Sequence, residues 1–201
     1  MGWRLIRTSA DAVPDESEPS DAALVALARR DPEAFALLYR RYATSIYRYC
    51  DRALGDRGAA EEATQTVFVR ALAALPRCRD GDTFRPWLFA IAHNVIADTR
   101  RARRPVVPLD GAIDVPDTAV SPEDLALAAV ERREITSLLA NLSAEERAIV
   151  ELRLAGLRDK EIARVLGRSP GAVRTAQYRA VKHFRALRAA AGEREVSHVA
   201  G

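Results

Sequence analysis

Two arginine-rich clusters carry most of the chemistry this sequence could do. Arg100-Arg101-Ala102-Arg103-Arg104 sets four guanidinium groups side by side, with no acid from Thr99 to Leu109. Arg174, Thr175, Tyr178, Arg179 and Lys182 fall in a stretch, Ile162 to Gly192, that holds seven basic residues and no acid. A guanidinium stays protonated at all ordinary pH, so it serves as a fixed cation and a forked donor, not as a general base. It suits phosphate oxygens and the paired acceptors on the edge of guanine. A surface of one sign gains affinity for nucleic acid by releasing its counterions. The expected chemistry is binding to DNA, and the plain alternative is a basic, solvated helix face.

Other chemistries find little support. There is no GxxxxGK[ST] phosphate loop and no HExxH pair. His93 and Asp98 lie five apart, which reads as ordinary helix surface. Cys50 and Cys78 are the only cysteines, and His93, His183 and His198 are isolated, so no metal site, disulfide or cofactor is expected. No catalytic residue is assigned. No apolar run approaches the roughly 18 residues of a membrane span. The Met1–Arg7 start is too short for a signal-peptide core, so a cytoplasmic protein without membrane insertion is expected. The chain of 201 residues, 48% hydrophobic and 29% charged, is long enough for two small domains.

The elements that must position the arginines are helical throughout, which makes the fold class all-α. Residues 1–20 read as an acidic, mobile tail. From 21 to 104, Phe35, Leu38, Tyr42, Ile46 and Tyr49 recur at helical spacing after an Asp31-Pro32-Glu33 start. Leu54 to Gly58 breaks that helix. Ala63, Val67, Phe68, Ala71 and Leu75 mark the next, 76–83 is a loop, and Trp87 to Ile96 opens a helix that runs into the arginine tract and stops at Pro105. Residues 105–121 read as an extended linker. Six acids and no base lie between Val106 and Glu131, and Ser121-Pro122 starts a new helix. The second domain, 122–190, contains a Ser143–Glu146 capping box and then a helix-turn-helix: Glu161–Leu166, a turn at Gly167, and a helix capped at Ser169. Val173 should face inward, leaving Arg174, Thr175, Tyr178 and Arg179 on one outer face. Residues 191–201 form a tail.

The two halves together resemble a known family. Asp31–Tyr42, Ala60–Leu72 and Phe84–Asn94 with the arginine tract look like successive segments of region 2 of the extracytoplasmic-function (ECF) sigma factors of the sigma-70 superfamily. Residues 138–188 are similar to region 4. The resemblance implies a two-domain promoter-specificity subunit for core RNA polymerase. It implies docking on the clamp coiled coil of the largest subunit through Glu61, Glu62, Gln65 and Phe68, although Phe68 suits core packing equally well. It further implies −10 recognition by Arg79, Phe84, Arg85, Asn94, Arg100, Arg101, Arg103 and Arg104. Recognition of −35 DNA falls to Arg174, Thr175, Tyr178, Arg179 and Lys182. The flap of the second-largest subunit, promoter DNA and an anti-sigma factor are the further implied partners. Trp87 and Phe89 could stack bases, but their apolar flanks favour the core. The sequence departs from the family pattern at Thr66, Cys78, Arg158 (where Asp159 offers itself as the cap) and Ala176-Gln177. A DNA-binding regulator that uses only the second domain, or an adaptor without promoter activity, are the alternative readings.

Overall fold

The computed structural model describes residues 19–78, 83–103 and 141–199. The expected N-terminal tail, apart from its last two residues, lies outside them, as do Arg79, Arg104, the linker and the helix start at Ser121. Among the described residues there are seven α-helices and no strand.

The first module is built from four helices. Helix α1 (Asp21–Arg30) is capped by Ser20, whose hydroxyl accepts from the Ala23 N–H at 3.2 Å. Asp31 then accepts from the Glu33 N–H at 3.0 Å, and Pro32 opens a short 3-10 turn into α2 (Phe35–Leu54). The stripe expected on α2 is the buried one: Phe35, Leu38, Tyr42, Ile46 and Tyr49 are all inside. Gly55 ends α2 in the left-handed region, at φ +68°, where a side chain would be strained. The break is shorter than the sequence suggests. Asp56 caps at once, accepting from the Ala59 N–H at 2.6 Å, so α3 (Arg57–Ala74) already contains Gly58. The expected loop at 76–83 begins with a 3-10 turn, Leu75–Arg77. Helix α4 (Phe84–Ala102) closes the bundle, with Phe84 against Tyr42 at 5.6 Å between ring centroids and Phe89 against Tyr49 at 5.5 Å.

The second module holds α5 (Ala144–Leu154), α6 (Asp159–Leu166) and α7 (Pro170–Val199). The capping box forms as expected: the Ser143 hydroxyl accepts from the Glu146 N–H, and Glu146 accepts from the Ser143 N–H at 3.1 Å. Gly167 closes α6 at φ +62°. Two details depart from expectation. Asp159 does not cap α6; Glu161 accepts from the Arg158 N–H at 2.7 Å, while Asp159 pairs with Arg153 and with Gln177 Nε2. Helix α7 also continues through Val199, past the boundary expected at 190.

The modules do not stand apart. Helix α4 packs along α6, and α2 packs against α5. One contiguous apolar cluster runs from Leu38 and Phe89 through to Leu152, Ile162 and Val173. At its edge lies Glu151, only 2% exposed, with Arg100 Nη2 at 3.3 Å. Burial pushes the Glu151 carboxyl above its ordinary value, against the opposing pull of Arg100, Arg147 and Arg52.

These contacts set three expectations. Leu88→Ala, which empties a fully buried site, should cost about 2–5 kcal/mol by chemical denaturation. Asp56→Ala should cost about 1 kcal/mol through loss of the α3 cap. The Ala59 N–H holds the Asp56 carboxyl below its ordinary value of 3.8, so the stability it contributes is complete above that value. That contribution is lost as pH falls through the depressed one. Glu151 has the opposite sign. Its folded pKa is raised, so its contribution is greatest below the ordinary value of 4.5 and declines as pH rises through the raised one. A melting-temperature profile of Glu151→Gln against the parent should lack that decline.

Candidate nucleic-acid interface

Helix α7 shows how a basic face is built from spacing. Val173, Ala176 and Ala180 recur at three and four and are buried, at 0%, 1% and 1% exposure. That stripe turns the intervening positions outward. Arg174, Thr175, Tyr178, Arg179 and Lys182 are all exposed, and Tyr178 shows 73% of its surface to solvent. Ser169 caps the helix start, accepting from the Ala172 N–H at 3.2 Å. The Thr175 hydroxyl donates back to the Gly171 carbonyl at 3.1 Å. Gln177 reaches Asp159 on α6 and fixes the two helices of the turn to each other. Among the described residues Arg174, Arg179 and Lys182 make no ion pair, so their donors remain open to a phosphate or a base edge.

The first module distributes its candidates differently. On α3, Glu61, Glu62 and Gln65 are exposed, and Glu61 pairs with Arg57 at 3.1 Å. Phe68 lies inside, 5% exposed, edge-on to Tyr39 at 4.7 Å and to Phe35 at 6.4 Å. Its place on the outer face is taken by residues that sequence reasoning passed over. Val69 and Leu72, four and seven positions after Gln65, are 68% and 43% exposed and extend the same face. The signal was their spacing from Gln65, but apolar residues near Phe68 read first as core.

Along α4 the candidates separate by helical angle. Phe84 is fully buried. Asn94 is exposed and sits on the side of Arg101, which pairs with Asp98 at 2.6 Å; Arg70 of α3 reaches the same carboxylate at 3.0 Å. Arg70 and Arg101 hold the Asp98 carboxyl below its ordinary value. Arg85 and Arg100 lie on the opposite side, turned to the second module. Arg85 donates to the Ala155 carbonyl at 3.2 Å and lies 3.7 Å from Glu161. Arg100 donates to the Ala53 carbonyl and to Glu151. Arg103, at the helix end, reaches Asp56 at 3.3 Å. His93 is no ordinary surface residue: it is half-buried, its Nδ1 is 3.2 Å from the Tyr49 hydroxyl, and burial lowers its pKa. Trp87 is partly buried beside Phe84 at 5.6 Å and Phe89 is fully buried, which places both with the core. Among the described residues no cluster of three metal-ligating side chains forms, and no helix is long and apolar enough to cross a membrane.

Comparison with known proteins agrees with this geometry. Sigma-70 region 2 matches residues 38–106, and Sigma-70 region 4 matches 132–184. The chain is 43% identical over 152 residues to the ECF RNA polymerase sigma factor ShbA of Streptomyces griseus, spanning 70% of this chain and 80% of the relative. It is 31% identical over 186 residues to SigD of Mycobacterium tuberculosis, spanning 89% and 88%. The solved structure of CnrH in complex with the cytosolic domain of CnrY superposes with a TM-score of 0.68 at 28% identity, over 86% of this chain and 99% of that one. A helical first module with region 2 features, a second whose last helix is basic and free of acids up to Gly192, and matches at this level through both identify the chain as a member of the ECF RNA polymerase sigma factors, a family that is not one of catalytic enzymes.

Proposed function

We propose that the chain directs core RNA polymerase to specific promoters, with the division of labour between its modules assigned residue by residue. The observation that carries this is the pairing of two unlike surfaces in one chain. The exposed α3 face of Glu61, Glu62, Gln65, Val69 and Leu72 mixes acid and apolar groups, which suits a protein partner and repels DNA. The α7 face of Arg174, Thr175, Tyr178, Arg179 and Lys182 is cationic and aromatic, which suits a major groove. We assign the first to the polymerase clamp and the second to the −35 element. Asn94, Arg101 and Arg103 on α4, with Arg85 and Arg100 once freed from the second module, serve the −10 region, together with Arg79 and Arg104. The paired acids Asp98 and Asp56 hold Arg101 and Arg103 only weakly at an exposed surface, so phosphate can replace them. An anti-sigma factor is a further partner in this reading, since the CnrH structure is a complex with another protein's cytosolic domain. No catalytic role is assigned, and the site of action is the cytoplasm.

A regulator acting through the second module alone would leave the α3 face without use. The two readings separate in a reconstituted assay. Core polymerase plus this protein should start transcription at promoters from a genomic library that core alone ignores. Purified, folded protein that supports no initiation at any of them overturns the reading. Arg174→Ala should weaken use of the upstream element by about 1–3 kcal/mol while sparing core binding. Gln65→Ala combined with Val69→Ser should lower affinity for core polymerase about tenfold, measured by competition, without changing the melting temperature by more than a few degrees.

A further inference from the structure

The inward line of α7 is made of small side chains. Val173, Ala176 and Ala180 are buried there, and α5 and α6 both pack against α7. An alanine fills space but has no arm to lock between its neighbours. Apolar contact along such a line leaves the rotation and the slide of a helix loosely set. One polar junction supplies what that line lacks. Asp159, the first residue of α6, accepts through a single oxygen, Oδ1, from two other helices. One donor is Arg153 Nη2 in the last turn of α5, and the other is Gln177 Nε2 of α7 at 3.3 Å. Three helices thus meet at one atom. Arg153 and Asp159 keep 29% and 34% of their side-chain surface in solvent, and an ion pair of that exposure adds little to stability. Its directional value is what remains.

Gly167 fixes the near end of α7, with the Arg168 N–H donating to the Ala163 carbonyl at 2.9 Å. Gln177 lies seven residues past Pro170, about 10 Å along the helix axis. It is the second fixed point, and two points set a line. Arg174 is three positions earlier and about 60° around the helix, and Tyr178 is the next residue. Whatever moves Gln177 therefore moves both.

We propose that Asp159 is a positioning residue for promoter reading: it holds Gln177, and through Gln177 sets the angle at which Arg174 and Tyr178 meet the upstream element. The inference rests on the functional reading above and adds to it a residue that touches no DNA. A carboxylate repels phosphate, so Asp159 acts on DNA only through α7. Forked donation from a guanidinium to a base edge tolerates misplacement of only about 0.5 Å and 10–20°. Arg153 orients the carboxylate, and Gln177 carries that orientation to the helix. Loss of a contacting residue removes one contact, whereas loss of this anchor blurs several together. Direct reading of a base by Gln177 is the competing role.

The test uses the full chain reconstituted with core polymerase on a promoter at which the parent starts, with every single-base variant of its upstream element. Asp159→Ala should cut the preference for the best over the worst base about tenfold, at the positions read by Arg174 and by Tyr178 alike. Its melting temperature, followed by circular dichroism, should stay within a few degrees of the parent. Asp159→Asn keeps an oxygen for Gln177 but gives up the charge facing Arg153. It should lie between the two, and it carries the test if Asp159→Ala does not fold. Gln177→Glu sets two carboxylates against each other and should flatten the profile as well. Adding Asp159→Asn to Gln177→Glu should restore it, because the asparagine amide donates to the new carboxylate. In the Arg174→Ala background, Asp159→Ala should have no further effect at the position Arg174 reads, as for two groups acting through one contact. An equal drop on every sequence, an effect that adds to that of Arg174→Ala, or an unchanged profile overturns the proposal. So does Gln177→Ala shifting one base pair where Asp159→Ala shifts none. Absence of initiation by the parent removes the functional reading instead, whereas parent initiation with an unchanged Asp159→Ala profile removes only the anchor.

Discussion

Everything in this molecule is arranged around α4, because a helix with two apolar stripes has to be covered twice. The bundle of α1, α2 and α3 covers the stripe through Phe84, Leu88 and Val95. The line through Phe89, Ala92 and Ile96 is shared: Phe89 meets Tyr49 of α2, while α4 also packs along α6 of the second module. Burying a side chain of this size is worth about 1.5–3 kcal/mol. Phe89 and Ile96 on this second line, both 2% exposed or less, add two such burials. That line sets where Arg85 and Arg100, at its ends, must go.

Arginine then does three jobs in one chain, separated by environment rather than by residue type. Arg101 and Arg103 sit in water beside single acids, where an ion pair is worth about 0–1 kcal/mol and exchanges freely. Arg100 and Arg52 lie against a buried carboxylate, where removing a partner strands a charge and the balance is steep. Arg174 and Arg179 face solvent on a helix whose first turn has no acid. The last pair is exposed and makes no ion pair among the described residues.

Much of this was legible in the sequence, and the parts that were not share a cause. Helix positions followed from apolar spacing and from local capping chemistry at Asp31, Ser143 and Ser169, and the outward face of α7 followed from Val173. The chemistry at Gly167 was also readable, since a left-handed end to α6 needs a residue without Cβ. What escaped were facts about pairs distant in sequence. Phe68 and Val69 are adjacent and both apolar, and only packing against Phe35 and Tyr39 decides which one is inside. Asp159 looked like a cap until Arg153 and Gln177 claimed it. Above all, no local signal shows that Arg85 and Arg100 turn toward carboxylates far along the chain. Periodicity reports that a helix has an inside; it does not report that α4 has two.

The contrast between Tyr178 and Phe89 shows why local reading succeeds on α7 and fails on α4. Both are aromatic, and either could stack on a base. On α7 the inward line is fully taken by Val173, Ala176 and Ala180, small residues that let α5 and α6 approach closely and leave no slot for an aromatic ring. Tyr178 is therefore forced out, with 73% of its surface exposed. On α4 a second inward line exists, so Phe89 is drawn into it and meets Tyr49 instead. The number of apolar lines a helix carries thus decides whether its aromatics face a partner or the core, and counting those lines by angle separates the two outcomes.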